Sequence, residues 1–281
     1  MTSVEIPYSI AAALPSLAVL DITNEIAREV AEAEVSSGIA YISSGSDSLV
    51  RWYQGSLADH RYRRGDWDEA YRNADGYLAS VEAGSPSVGS WQVSFVRAEI
   101  RLAKGDSAGA IADAEQALAT GREIAEVQAL GFVRAGCAHV FMTAGDHGRA
   151  TALADELLES LRRGESMQFA VINLPVFAST AVQLGRGAEL EEALAGQPQI
   201  RWTEAVQAYV SGDFVQAADI LRRAGARADE AEARLRAAEA FIGEGRLEEA
   251  DEQLERALAF YRSVGATRYA QEGEALLART A

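Results

Sequence analysis

The chain has 281 residues, 48% of them hydrophobic, which is enough for one large domain or two small ones. Its 26 Lys+Arg stand against 42 Asp+Glu for a net charge of −16, a field that repels phosphate backbones and anionic lipid. This argues against nucleic-acid binding through a basic surface, and the single cysteine, Cys137, precludes an intrachain disulfide and fits a reducing compartment.

The apolar run from Tyr8 to Leu20 has no basic residue before it and is interrupted by Pro15, unlike a signal peptide. No run approaches the ~20 apolar residues that span a bilayer. A soluble, cytoplasmic protein with no membrane partner is the expectation.

Leu17-Ala18-Val19-Leu20 reads as a short strand, and Thr23 can cap a helix carrying Ile26, Val30 and Val35. Gly38-Ile39-Ala40-Tyr41-Ile42 is a second strand candidate, with the polar loop Ser43 to Ser48 after it. Such a unit cannot bury both faces of its own sheet, so it either packs on the helical part of the chain or begins a larger domain. The Leu20-Asp21-Ile22-Thr23-Asn24-Glu25 run with Gly38-Ile39-Ala40 resembles the opening of the small secondary thiamine-phosphate-synthase-type family, over roughly residues 17 to 50. That family places a His-Thr-Thr-type motif after the second strand, where this chain has Ser43-Ser44-Gly45. The loop has one glycine and no lysine, so it is no P-loop, and the reading preferred for it is a solvated loop whose Asp47 or Ser48 caps the next helix.

A repeat organises the remainder. Gly65-Asp66, Gly105-Asp106 and Gly145-Asp146 are spaced 40 residues apart, Gly185 keeps that step, and Gly212-Asp213 and Gly245 continue the series at shorter ones. With the glycine at repeat position 15, position 8 is Ala58, Ala98, Ala138, Ala178, Ala205 and Ala238. Position 20 is Ala70, Ala110, Ala150, Leu190, Ala217 and Ala250, and position 12 is apolar throughout: Tyr62, Leu102, Met142, Val182, Tyr209 and Ile242. Small residues at two fixed points let paired helices approach closely where they cross. The glycine can end helix A in a left-handed conformation, and the aspartate can cap helix B.

These columns, with Trp67 and Phe214 after the turn, resemble the tetratricopeptide repeat over roughly residues 50 to 262. The 40-residue step exceeds the ~34 of the standard motif, and Arg61, Arg101 and Ala181 stand where the family has a large residue. Long repeats of this kind look like the helical sensor regions of bacterial multidomain regulators, including ATPase-linked transcription activators and cyclase-associated ATPases. The resemblance implies a mostly all-α chain: a right-handed α-solenoid of antiparallel helix pairs over 50–281, preceded by a short α/β segment over 1–49. The fourth repeat is irregular, with Leu190 for alanine, Pro175 inside helix A and Gln197-Pro198 cutting helix B short. Thr267 to Arg279 reads as a final capping helix.

No catalytic or metal constellation stands out. His60, His139 and His147 lack the i, i+4 spacing of a helical zinc site, and Cys137 and His139 face different sides of one helix. Trp52, Trp67, Trp91 and Trp202 read as packing residues, and the carboxylates as solvated helix faces. No cofactor is expected. In tetratricopeptide arrays the A helices line the concave side, and positions 2, 9 and 13 are those expected to face it. They include Asp59, Arg63, Gln92, Glu99, His139, Thr143, Gln183 and Glu239. The resemblance therefore implies a non-enzymatic interaction or regulatory module that takes a peptide or protein partner in its groove. The alternatives are that these side chains are merely solvated, that the N-terminal segment carries the thiamine-phosphate-synthase-type activity, and that the chain is a regulator fragment with no activity of its own.

Overall fold

A computed structural model describes residues 47–278 apart from positions 86, 88, 166, 167 and 198. The expected strand–helix–strand unit over residues 17–42 lies outside the described residues. The described part is about 82% helical and contains no strand. The first six helices are α1 (Asp47–Arg64), α2 (Trp67–Glu82), α3 (Ser90–Ala103), α4 (Ser107–Ile124), α5 (Val127–Thr143) and α6 (His147–Arg162). A 3-10 turn, Gln168–Asn173, leads into α7 (Leu174–Gln183), α8 (Gly187–Leu194), α9 (Arg201–Val210) and α10 (Phe214–Arg223). The last three are α11 (Arg227–Glu244), α12 (Leu247–Ser263) and α13 (Thr267–Leu277). Asp47 and Ser48 thus belong to α1 itself and not to the loop expected before it.

The Gly-Asp turn works twice. Gly105 sits at φ 90° and its N–H donates to the Leu102 carbonyl at 3.0 Å, while Asp106 N–H donates to Arg101 O at 2.9 Å. These two bonds are the Schellman closure that satisfies the last carbonyls of a helix. The same aspartate then caps the next helix: Asp106 accepts from Gly109 N–H, Asp146 from Arg149 N–H and Asp213 from Gln216 N–H. Asp66 departs from this pattern and makes no side-chain cap bond.

Every alanine of position 8, and every residue of position 20 including Leu190, has no exposed surface. Consecutive helices pack on one another except α6, which skips α7 and packs on α8, and α1, α3, α5, α7 and α9 also touch one another in sequence. An alanine at each crossing is what allows this, since a longer side chain would hold the backbones apart. Ala98→Leu or Ala138→Leu is therefore expected to lower stability by roughly 1–3 kcal/mol in urea titrations.

The irregular fourth repeat has physical causes. Pro175 falls in the first turn of α7, where its missing N–H costs nothing, so the residues before it form the 3-10 turn instead of α-helix. α8 is only 8 residues long and ends before Gly196 and Gln197.

The last helices return to the first. α11 packs against α1 and α13 against α3. Trp67 meets Phe260 edge-on at 5.8 Å between ring centres, the Thr267 hydroxyl donates to Lys104 O at 3.0 Å, and Arg268 donates to Thr143 O. The final helix was expected only to cover the end of the array; it also joins that end to the second helix pair. Among the described residues no helix is long and apolar enough to cross a membrane.

Candidate functional site

Closure of the chain on itself creates an interior, and the polar columns of the repeat meet in it. Asp59 and Arg63 are four residues apart on α1, hence on one face. The Arg63 guanidinium holds Asp59 through Nε at 3.1 Å and Nη2 at 3.3 Å. It also donates to Asp229 of α11 at 3.2 Å, to Ile172 O at 3.1 Å and to Asn173 Oδ1 at 2.5 Å. Asn173 in turn donates to Phe132 O at 3.0 Å. One buried side chain thus ties the first helix to the middle and the end of the chain. Burial works against its charge, but Asp59 and Asp229 outweigh that and hold the guanidinium protonated.

A second group lies beside it. Glu99 of α3 accepts from the Tyr62 hydroxyl at 3.3 Å and lies 3.0 Å from Nδ1 of His139 on α5. Burial would lower the imidazole pKa, yet the charges of Glu99 and then Glu232 outweigh it, and the pKa is raised. On the far side Glu232 of α11 accepts from the Ser179 hydroxyl at 2.8 Å and pairs with Arg236 at 3.1 Å. Arg236 continues to Glu239 at 2.5 Å and to Glu272 of α13 at 2.6 Å. Burial pushes Asp229 up to about 6 despite Arg63, with Asp59 and Glu99 adding to the push. Burial also pushes on Glu232, but Arg236, His139 and Ser179 overcome it and its pKa is lowered.

The eight expected groove residues divide by how they meet this network. Asp59, Arg63, Glu99 and His139 join it directly, and Gln92 is wholly buried with Oε1 against Gly55 of α1. Glu239 is reached through Arg236, exposed Gln183 through its bond to Ser179, and Thr143 through the Arg268 bond to its carbonyl. Two expectations change here. Asp59, Arg63, Gln92, Glu99 and His139 are at most 4% exposed, so they are not solvated side chains. Nor do they line an open channel, because α11 and α13 occupy the space in front of α1 and α3.

Sequence reasoning also passed over members of the network. Glu232 and Ser179 stand in columns 2 and 9 and could have been read from the repeat register. Asp229, Asn173 and Arg236 lie outside those columns: Arg236 joins through Glu232 and Glu239 on its own helix, and Asp229 and Asn173 through Arg63.

The arrangement holds charge in place. The Cys137 thiol donates to Ala114 O at 3.6 Å, away from His139, and burial pushes its pKa up. Among the described residues, no cluster of three or more His, Cys, Asp or Glu could hold a metal ion. Trp67, Trp91 and Trp202 are packing residues at 3%, 6% and 2% exposure. A scan against protein-family models and a search of curated proteins found no match for this chain.

Proposed function

We propose that the chain is a non-enzymatic interaction module, a tetratricopeptide-like α-solenoid whose inner face takes a protein or peptide partner. The observation that carries this reading is the meeting of the repeat's polar columns in one interior, where Glu99 pairs with His139 of the next repeat and Arg63 reaches Asp229, 166 residues on. A helical array that needed only to be stable would fill that interior with apolar residues, because buried ion pairs add little net stability. In the closed chain the inner face is held by its own C-terminal helices. The partner meets it when those helices withdraw.

The test compares capture from the source cell's extract by three samples. These are the wild type, Glu99→Ala plus His139→Ala, and an Asp68→Cys plus Ala259→Cys form whose exposed thiols are bridged by a bismaleimide to hold the ends together. A partner captured by the wild type and lost from both altered samples, with helical circular dichroism intact, is the expected result. Identical capture by all three would remove the inner face from consideration.

A further inference from the structure

The ends of the chain meet differently from consecutive helices. Within and between neighbouring pairs broad faces of fully buried apolar residues meet, as at Ala98, Ala138, Leu157 and Leu158, and ion pairs such as Glu99–His139 add to them. Fewer residues meet across the seam, where Phe260 packs on Trp67 and Gly65, Arg63 pairs with Asp229, and Thr267 and Arg268 donate hydrogen bonds. Regions where few residues make contact are those that open at least cost.

The interior behind this seam is short of positive charge. Asp59, Glu99, Asp229 and Glu232 are all under 9% exposed, and among the described residues the guanidinium groups paired with them are those of Arg63 and Arg236. Arg236 is further shared with Glu239 and Glu272. Carboxylates buried in excess of cations are expensive unless they neutralise. Two groups stand where added protons would correct the balance: the imidazole of His139, 3.0 Å from Glu99, and Asp229, which shares Arg63 with Asp59.

We infer that closure of the seam between α1 and α11 is proton-linked: the closed chain takes up a proton at His139 and another at Asp229, and gives them up as it opens. Such linkage belongs to the chain alone and stands whether or not a partner is found. The groups facing His139 are Glu99 from α3 and Asp229, Glu232 and Arg236 from α11. Those facing Asp229 are Arg63 and Asp59 from α1, Glu99 from α3 and His139 from α5. Neighbouring Tyr62 and Tyr269 are pushed further above the ordinary phenol range, first by burial and then by Glu99, and stay protonated throughout.

Linkage sets the direction. His139 has a raised pKa in the closed form, so its contribution is complete below its ordinary range and is lost as pH rises through the raised value. Asp229, pushed up to about 6, favours closure as pH falls from there toward the ordinary carboxylate range. Glu232 acts oppositely: its pKa is lowered, so its contribution is present above its ordinary range and fades as pH falls through the depressed value. Closure is therefore strongest in mild acid and weakens toward alkaline pH.

The experiment places spin labels at Asp68→Cys in α2 and Ala259→Cys in α12, two exposed positions flanking the Trp67–Phe260 contact; buried Cys137 does not compete. Distance distributions by double electron–electron resonance are taken at pH 5.5, 7 and 8.5, with helical circular dichroism recorded alongside. A single short distance at pH 5.5 should give way to a longer population. Its ratio to the short one should grow up to about tenfold per pH unit while His139 releases its proton. His139→Gln should flatten this dependence, and Asp229→Asn, a fixed neutral side chain, should favour the short distance above pH 6. A short distance unchanged to pH 8.5 would overturn the inference. So would a dependence that survives in the His139→Gln, Asp229→Asn double variant. Should the variants fail to fold, an NMR titration of His139 in the wild type decides: a pKa at or below that of free histidine excludes proton-linked closure.

Discussion

Replacing Arg63 with methionine is expected to destabilise the chain by about 3–5 kcal/mol, the usual cost of breaking a buried charge group by removing one partner. The guanidinium is 1% exposed and leaves behind Asp59 at 0% and Asp229 at 8% exposure. It also leaves the Ile172 carbonyl and Asn173 Oδ1 without their donor. Lysine should not restore the loss, because its single ammonium cannot reach four acceptors that a planar fork engages together. Neutralising the stranded carboxylates should help instead: Arg63→Met with Asp59→Asn and Asp229→Asn is expected to recover much of the deficit. The deficit of the single variant should also shrink on acidification, since Asp229, pushed up to about 6 by burial, can then protonate. Urea unfolding of the four proteins at pH 5 and pH 7.5 measures all of this. A single variant as stable as the wild type at pH 7.5 would mean that Arg63 does not hold the seam.

Much of this fold is legible in the chain because a repeat writes its packing rule several times over. One buried alanine is uninformative, but Ala58, Ala98, Ala138, Ala178, Ala205 and Ala238 in one column identify a helix crossing. The same holds for the turn glycines, whose φ values run from 72° at Gly185 to 94° at Gly65. The repeat also marks its own failure, and the short α8 sits where Leu190 and Gln197 break the columns. What periodicity does not encode is how small rotations between neighbours accumulate. Arg63 and Asp229 are 166 residues apart, and their meeting depends on the whole path between them, including two shortened repeats. For the same reason column 9 places Asp59, Glu99, His139 and Ser179 on one side of their helices without revealing that α11 packs against α1. His139 and Glu99 occupy one column in adjacent repeats, so their contact was within reach; Asp229 in front of Arg63 was not. The difference is between nearest-neighbour packing, which each repeat specifies locally, and closure, which no single repeat contains.

The apolar counterpart of Arg63 is Phe132, and Phe132→Ala is expected to cost about 3–5 kcal/mol. Its ring has no exposed surface and packs edge-on against Trp91 at 5.1 Å and Phe95 at 5.2 Å between ring centres. Helices α3 and α5 can approach this closely only because Gly136 stands one turn beyond Phe132. A Cβ built at Gly136 would lie 2.2 Å from the ring of Phe95, so that ring must move before any side chain fits. In the wild type it cannot move freely, since Phe132 stands against it. Gly136→Ala alone should therefore be destabilising despite the ~1 kcal/mol that alanine gains over glycine inside a helix. In the Phe132→Ala background the vacated space gives Phe95 somewhere to go, and the same Gly136→Ala change should become neutral or stabilising. The two substitutions should thus be non-additive, with a coupling of about 0.5–3 kcal/mol in the direction of mutual relief. A double-mutant cycle by chemical unfolding measures the coupling. Strict additivity would show that Phe95 yields to a methyl group without help, and that the α3–α5 crossing is looser than its burial implies.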